Sequence, residues 1–159
     1  MQKDPKDRKY LDNLRHSCAH LLAAAVMELW PNAKRTIGPA IEGGFYYDFD
    51  FSPDDSKQAI KISEVDLPKI EKKMHEIVQI WNEFTGKEVS IEKAKKLYKD
   101  NPYKLELIEE FSGEGQKLTT YQSGEYIDLC RGGHIDNPKK ELMHFKLLSI
   151  AGAYWRGNE

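Results

Sequence analysis

The chain has 159 residues, 40% of them hydrophobic and 31% charged, with a net charge of −2. That is enough for one sizeable core and too little for most multi-domain enzymes. The weak charge sets it apart from domains that grip nucleic acid alone, which are normally basic. No run of about 18 apolar residues is present, so no membrane-spanning segment is expected. The charged start, Met-Gln-Lys-Asp-Pro-Lys-Asp-Arg, lacks the apolar stretch of a signal peptide. Two cysteines, Cys18 and Cys130, make no disulfide framework, and a reducing, cytoplasmic setting is expected. The lysine clusters (72–73, 93–99, 139–140) are interleaved with acidic residues and read as solvated surface.

In chain order, residues 11–30 predict a helix. Leu11, Leu14, Cys18, Leu21, Leu22, Ala25 and Leu29 form an apolar stripe of helical period, and Pro31-Asn32 ends it. Residues 35–41 and 45–51 predict two strands around Glu42-Gly43-Gly44, a hairpin signal, with Phe45, Tyr47, Phe49 and Phe51 on one face. Residues 52–64 read as an exposed polar loop. Asp66 is expected to cap a second helix whose stripe is Ile70, Met74, Ile77, Trp81 and Phe84. Ser90 caps a short third helix to residue 98, and Asn101-Pro102 opens a fourth that ends near residue 111. Residues 112–115 are a turn. Strands are predicted over 117–121 and 125–130, and the alternating tail, 144–155, predicts a further strand. The order of elements predicts an α+β fold, a two-layer sandwich of an antiparallel or mixed sheet packed on helices.

Two short patterns carry the chemistry: His16-Ser-Cys-Ala-His20 and Cys130-Arg-Gly-Gly-His134. At about 100° per residue, His16 and His20 lie about 40° apart on the first helix, while Cys18 is turned about 200° away into the leucine stripe. Ala23, Ala24 and Met27 flank the histidines and are expected to leave room for a ligand. In the strand Tyr126-Ile-Asp-Leu-Cys130, alternation puts Asp128 and Cys130 on one face. Asp128, Cys130 and His134 would therefore meet the histidine face if strand and helix pack together. His75 and His144 have no such company, and His75 reads as a surface residue.

Such a cluster has several uses. Four ligands of the His3Cys type suit tetrahedral zinc: all four give a closed structural site, and three leave a position for a catalytic water. Without metal, the imidazoles could position and deprotonate a water, with Asp128 fixing a tautomer or anchoring an ammonium group. Cys130 as a covalent nucleophile, activated by a histidine, is a further reading that ranks lower.

The stretches His16-Ser-Cys-Ala-His-Leu-Leu, Gly38-Pro-Ala-Ile-Glu-Gly-Gly-Phe-Tyr-Tyr-Asp and Tyr126-Ile-Asp-Leu-Cys-Arg-Gly-Gly-His resemble the editing domain of bacterial-type threonyl-tRNA synthetase, which is related to that of alanyl-tRNA synthetase. The resemblance runs from about residue 11 to 155. It implies one editing domain over 1–155 with a helical insertion at about 66–111, and a junction at 156–159 toward a catalytic domain absent from the chain. It implies hydrolysis of serine wrongly esterified to threonine tRNA. An extra or missing methyl is worth only about 1–3 kcal/mol to a synthetic site, so a second site must remove the error. The implied site is His16, His20, Cys130 and His134, with Asp128 on the seryl amino group, Lys104 near the terminal adenosine or the ester, and Tyr47 lining the pocket. The resemblance implies no required cofactor in this domain. Zinc on His16, His20, Cys130 and His134 is the alternative that alanyl-type relatives suggest. The implied partners are the 3′ end of seryl-tRNA(Thr) and the rest of a synthetase that uses ATP and Mg and forms a homodimer. The competing readings are a zinc-dependent alanyl-type deacylase acting in trans and an inactive tRNA-binding module. One departure from the family pattern stands out: Gly133 replaces the proline usual before the last histidine.

Overall fold

A computed structural model describes residues 5–51, 61–115 and 117–152. The long first helix, α1 (Pro5–Leu29), is followed by four short strands: β1 (Lys34–Arg35), β2 (Ala40–Ile41), β3 (Gly44–Phe45) and β4 (Phe49–Asp50). A 3-10 turn (Glu64–Asp66) leads into α2 (Leu67–Val78). Then come β5 (Thr85–Val89), α3 (Ile91–Leu97), α4 (Pro102–Gly113), β6 (Leu118–Ser123), β7 (Tyr126–Leu129) and α5 (Pro138–Glu141). The fold is α+β with every strand pair antiparallel. β5, β6 and β7 form one sheet in that order, and β1–β4 and β2–β3 form two small ladders.

The main core lies between α1 and α2. Cys18, Leu21, Ala25 and Val26 of α1 meet Ile70, Met74 and Val78 of α2, and Trp81 closes the cluster with no exposed surface. A second cluster joins Ala94 and Tyr98 to Ile108 of α4, Leu118 of β6 and Leu129 of β7. A third is small: Ala19 and Ala23 of α1 receive the ring of Tyr47. The space that the small residues beside the histidines were expected to leave for a ligand is thus taken, at Ala23, by an aromatic side chain, and Ala24 packs in the main core.

The hairpin is interrupted. Arg35 pairs with Phe49 but Ala40 with Phe45, so five steps along the first strand oppose four along the second, and the extra residue is a bulge. Gly38-Pro39 lies inside it, where proline removes a ladder donor. Gly38 is required by its neighbour: a Cβ there would stand 2.2 Å from Cδ2 of Tyr47.

Other elements depart from expectation for identifiable reasons. α2 ends at Val78, and Trp81 and Phe84 reach the core through a turn and a strand entry rather than a longer helix. β5 was not anticipated, because its Thr-Gly-Lys-Glu-Val sequence is an exposed edge strand with no apolar period. Asp66 does not cap α2 with its side chain. Its carboxylate accepts the Ser63 N–H at 2.9 Å and closes the preceding turn. The caps at Ser90 and Asn101 form as expected. The tail strand expected over 144–155 does not form within 144–152, and the remainder lies outside the described residues, as does most of the expected loop at 52–64. The alternation there has another cause: Phe145 and Leu147 pack on the main core, while the Leu147 N–H bonds to Glu71 rather than to a strand.

Gly38→Ala should cost about 1–3 kcal/mol through overpacking against Tyr47. Gly44→Ala, where nothing lies within 4 Å of the added carbon, should stay within about 0.5 kcal/mol. Denaturant unfolding of the two variants checks the contrast.

Candidate functional site

The two patterns, separated by more than a hundred residues, are tied by one hydroxyl. Ser17, buried between the two histidines, donates from Oγ to the Asn13 carbonyl at 2.7 Å and accepts the Ile135 N–H at 3.0 Å. The segment after β7 is thereby held against α1. Gly132 and Gly133 both have positive φ, 96° and 88°. Proline, fixed near −65°, cannot occupy position 133 in this turn. The carbonyl of Gly133 accepts from Nδ1 of His16 at 3.0 Å.

That bond places the His16 proton on Nδ1 and the lone pair on Nε2, which lies 3.2 Å from Nε2 of His20. One proton, donated by His20, satisfies that contact. Nδ1 of His20 is then without a hydrogen-bond partner and 4.0 Å from Oδ2 of Asp128. The His134 ring is sandwiched between His16 (4.7 Å) and Phe84 (4.3 Å), with Tyr121 at 4.6 Å, and its Nε2 is 3.7 Å from Sγ of Cys130. Burial lowers the pKa of all three histidines. At His16 the Gly133 carbonyl opposes the shift; at His20 the value falls well below the ordinary one against the pull of Asp128; at His134, with His16 adding to burial, it reaches about 3. The imidazoles are therefore neutral at pH 7. Burial pushes the Cys130 thiol up to about 12, which disfavours a thiolate nucleophile.

Asp128 is 2% exposed and fully engaged. Oδ1 accepts from Nζ of Lys104 at 2.8 Å and from the Leu129 N–H at 2.9 Å. Oδ2 accepts the hydroxyls of Tyr47 and Tyr126, each at 2.6 Å. Nη1 of Arg35 stands 3.7 Å from Oδ1. Burial alone would raise this carboxyl, but Lys104, then Arg35 and His20, hold it well below the usual range. Lys104 is equally buried. Asn101 sets its place by accepting the Tyr103 and Lys104 N–H groups at the start of α4 and donating to the Arg35 carbonyl at 2.9 Å. Nζ of Lys104 also donates to the Tyr47 hydroxyl at 3.0 Å.

A cleft of about 540 Å³ opens over His16, His20, Tyr47, Lys104, Asp128 and Cys130, walled by residues 37–40 and by Leu107 and Phe111 of α4. His134 lines a second cleft of about 600 Å³ with Phe84 and Tyr121. The structure thus gathers the seven residues singled out in the sequence, with His134 in the partition between two clefts. Arg35, Tyr126, Ser17, Phe84 and Tyr121 were missed. Only Tyr126 carried a signal, two residues before Asp128 on the same strand.

The donor atoms of His16, His20, Cys130 and His134 lie within 4.8 Å of one another. Tetrahedral zinc, with bonds of about 2.0–2.3 Å, needs ligand atoms roughly 3.3–3.8 Å apart. The contacts of 3.2 and 3.7 Å come close to that range, the wider separations, up to 4.8 Å, would have to close around the ion, and the His16–Gly133 bond is the outer support a metal-binding imidazole requires. The set can hold a metal ion. A proton between the two Nε2 atoms and such an ion are alternative occupants of the same space.

Fold and site together define an α+β domain with a buried carboxylate centre and a histidine–cysteine rim. Its relatives are specific. The chain is 51% identical over 148 residues to the threonine–tRNA ligase of Thermotoga maritima, covering 91% of this chain and 22% of that protein. It is 50% identical over 154 residues to that of Staphylococcus epidermidis (97% and 22%) and 46% identical over 160 residues to that of Borreliella afzelii (100% and 26%). No family model matches. The chain belongs to the threonyl-tRNA synthetase family, in the region of the editing domain, and spans about a quarter of the length of these relatives.

The histidine shifts predict a pH dependence of stability. His134 titrates near 6.5 unfolded and about 3 folded, so between those values the unfolded chain binds more protons. Its contribution is complete above pH 6.5 and is lost as pH falls from 6.5 toward 3; buried His20 acts in the same direction. Unfolding free energies measured between pH 7 and 4 should fall with pH, and less steeply in His134→Phe, which keeps the stack on Phe84.

Proposed function

We propose that this domain hydrolyses the ester of serine mischarged onto threonine tRNA, within a threonine–tRNA ligase. Residues 1–155 act as one editing unit in which 66–111 supplies α2, the edge strand β5, α3 and most of α4. The observation that supports this reading most is the cleft that sets neutral imidazoles beside a buried Asp128–Lys104–Tyr47 group. Such a site presents a base, an anion and a cation within one small volume.

In this reading the aminoacyl ester lies in the cleft with its ammonium on Asp128. A water attacks the ester carbonyl carbon and passes a proton to the His16–His20 pair. One arrangement favours His16 as the acceptor: its Nδ1 proton is committed to Gly133, which leaves the lone pair on Nε2, and a water that displaces the His20 N–H from that lone pair can give up its proton there. The ester C–O bond then breaks, the ribose oxygen regains a proton, and free serine and tRNA leave. Lys104, or another donor nearby, offsets the negative charge that builds on the carbonyl oxygen. Cys130, held as a thiol, packs against His134 rather than attacking. The body of the synthetase, using ATP and Mg as a cytoplasmic homodimer, supplies most of the grip on tRNA, in keeping with the weak charge of this chain. Among the described residues, no helix is long and apolar enough to cross a membrane.

The fit of the histidine–cysteine set to zinc favours a second reading. His16, His20, Cys130 and His134 would hold the ion. With all four bound the site is closed and the ion structural, whereas an open position would supply an activated water.

Deacylation of seryl- and threonyl-tRNA(Thr), with and without a strong chelator, separates the readings. Loss of serine but not threonine, indifferent to chelator, is expected, and His16→Ala should slow it about 10²–10⁴-fold. Chelator-sensitive hydrolysis would transfer the site to zinc. Hydrolysis untouched by His16→Ala would refute the proposed base.

A further inference from the structure

The cleft reaches Asp128 from one side. Tyr47 and Lys104 line it with the carboxylate, whereas Tyr126 and Arg35 do not. On the far side, Tyr126 gives its hydroxyl to Oδ2 at 2.6 Å, and its ring stacks on buried Trp81 at 6.1 Å. Arg35 lies 5.2 Å over the Tyr126 ring and 5.7 Å over that of Tyr98, and Nη1 donates to the Ile127 carbonyl at 2.9 Å.

A carboxylate has about four lone-pair directions, and four donors already fill them. A substrate ammonium can therefore bind Asp128 only by replacing one. The far-side donors are the peptide N–H of Leu129 and a hydroxyl anchored on the core, and neither can leave without moving β7 or Trp81. The cleft-side donors, a lysine ammonium and the Tyr47 hydroxyl, sit where a ligand enters. Without Tyr126, Oδ2 would keep Tyr47 alone, and any exchange there would let the carboxylate turn toward Nδ1 of His20, 4.0 Å away.

We propose that Tyr126 and Arg35 are positioning residues that hold the Asp128 carboxylate from behind while a substrate ammonium exchanges with a donor on the cleft side. The inference rests on the reading of Asp128 as the ammonium-binding group. Arg35 adds a second cation and orients the Tyr126 ring, and neither residue touches the substrate.

Two probes test it: adenosine carrying serine through a 3′-amide, and the same compound with hydrogen in place of the ammonium. Tyr126→Phe keeps the ring on Trp81 and removes only the hydroxyl. It should weaken the first probe about tenfold and leave the second unchanged. Arg35→Lys, which retains the charge and loses the bond to Ile127, should show the same selectivity with a smaller loss, and it decides the matter if Tyr126→Phe does not fold. Equal weakening of both probes would mean a merely structural role, and no weakening of the first would remove the role altogether; either result overturns the inference. A wild-type protein that hydrolyses seryl-tRNA but binds both probes equally would overturn it too. A wild-type protein that binds neither probe and hydrolyses no seryl-tRNA would sink the deacylase reading as well.

Discussion

A single ionised carboxylate, Asp128, sits at the centre of this fold with almost no contact with water. Burying such a charge is expensive unless it is paired and hydrogen-bonded. The elements around it meet that demand from different parts of the chain: β7 carries it, α4 delivers Lys104, β1 delivers Arg35, and the bulged hairpin delivers Tyr47. The partners are themselves placed by local devices. Asn101 starts α4 where Lys104 must turn inward, and Gly38 makes room for the Tyr47 ring. Removing one partner would leave the others holding an uncompensated charge, so these positions are coupled through the shared charge as well as through direct contacts such as that of Lys104 with Tyr47.

The histidines obey a different rule. His16 and His134 stack face to face, His20 meets both edge-on, and Nδ1 of His20 and of His134 have no hydrogen-bond partner, so burial rather than charge dominates their titration. Two left-handed glycines precede His134, and its ring is enclosed between Phe84, Tyr121 and His16. Tyr121 can lie there because Gly86 and Gly132 carry no side chain; a Cβ on either would come within 2.7 Å of its ring or hydroxyl.

Much of this was legible in the sequence because period survives in it. The four-residue spacing of His16 and His20 gives one helix face, and the two-residue spacing of Asp128 and Cys130 gives one strand face. The caps at Ser90 and Asn101 were legible because their side chains bond within three residues. What escaped lacks local periodicity or depends on distant partners. β5 is an exposed edge strand. The alternation of Phe145 and Leu147 is the mark of a segment lying on a helix, which sequence cannot tell from a strand. Arg35 looks like any cation at the start of a hairpin until Ile127 and Asp128, about ninety residues on, arrive beside it.

The hydrogen bond from Ile135 to Ser17 spans 118 residues. A nascent chain emerges N-terminus first, so α1 with its two histidines is complete long before β7 exists. Closing so long a loop carries an entropic cost that only later contacts can offset. The site is therefore among the last parts of the domain that can assemble, and a ribosome stalled before residue 135 would hold a helix ready to pack but no centre for chemistry.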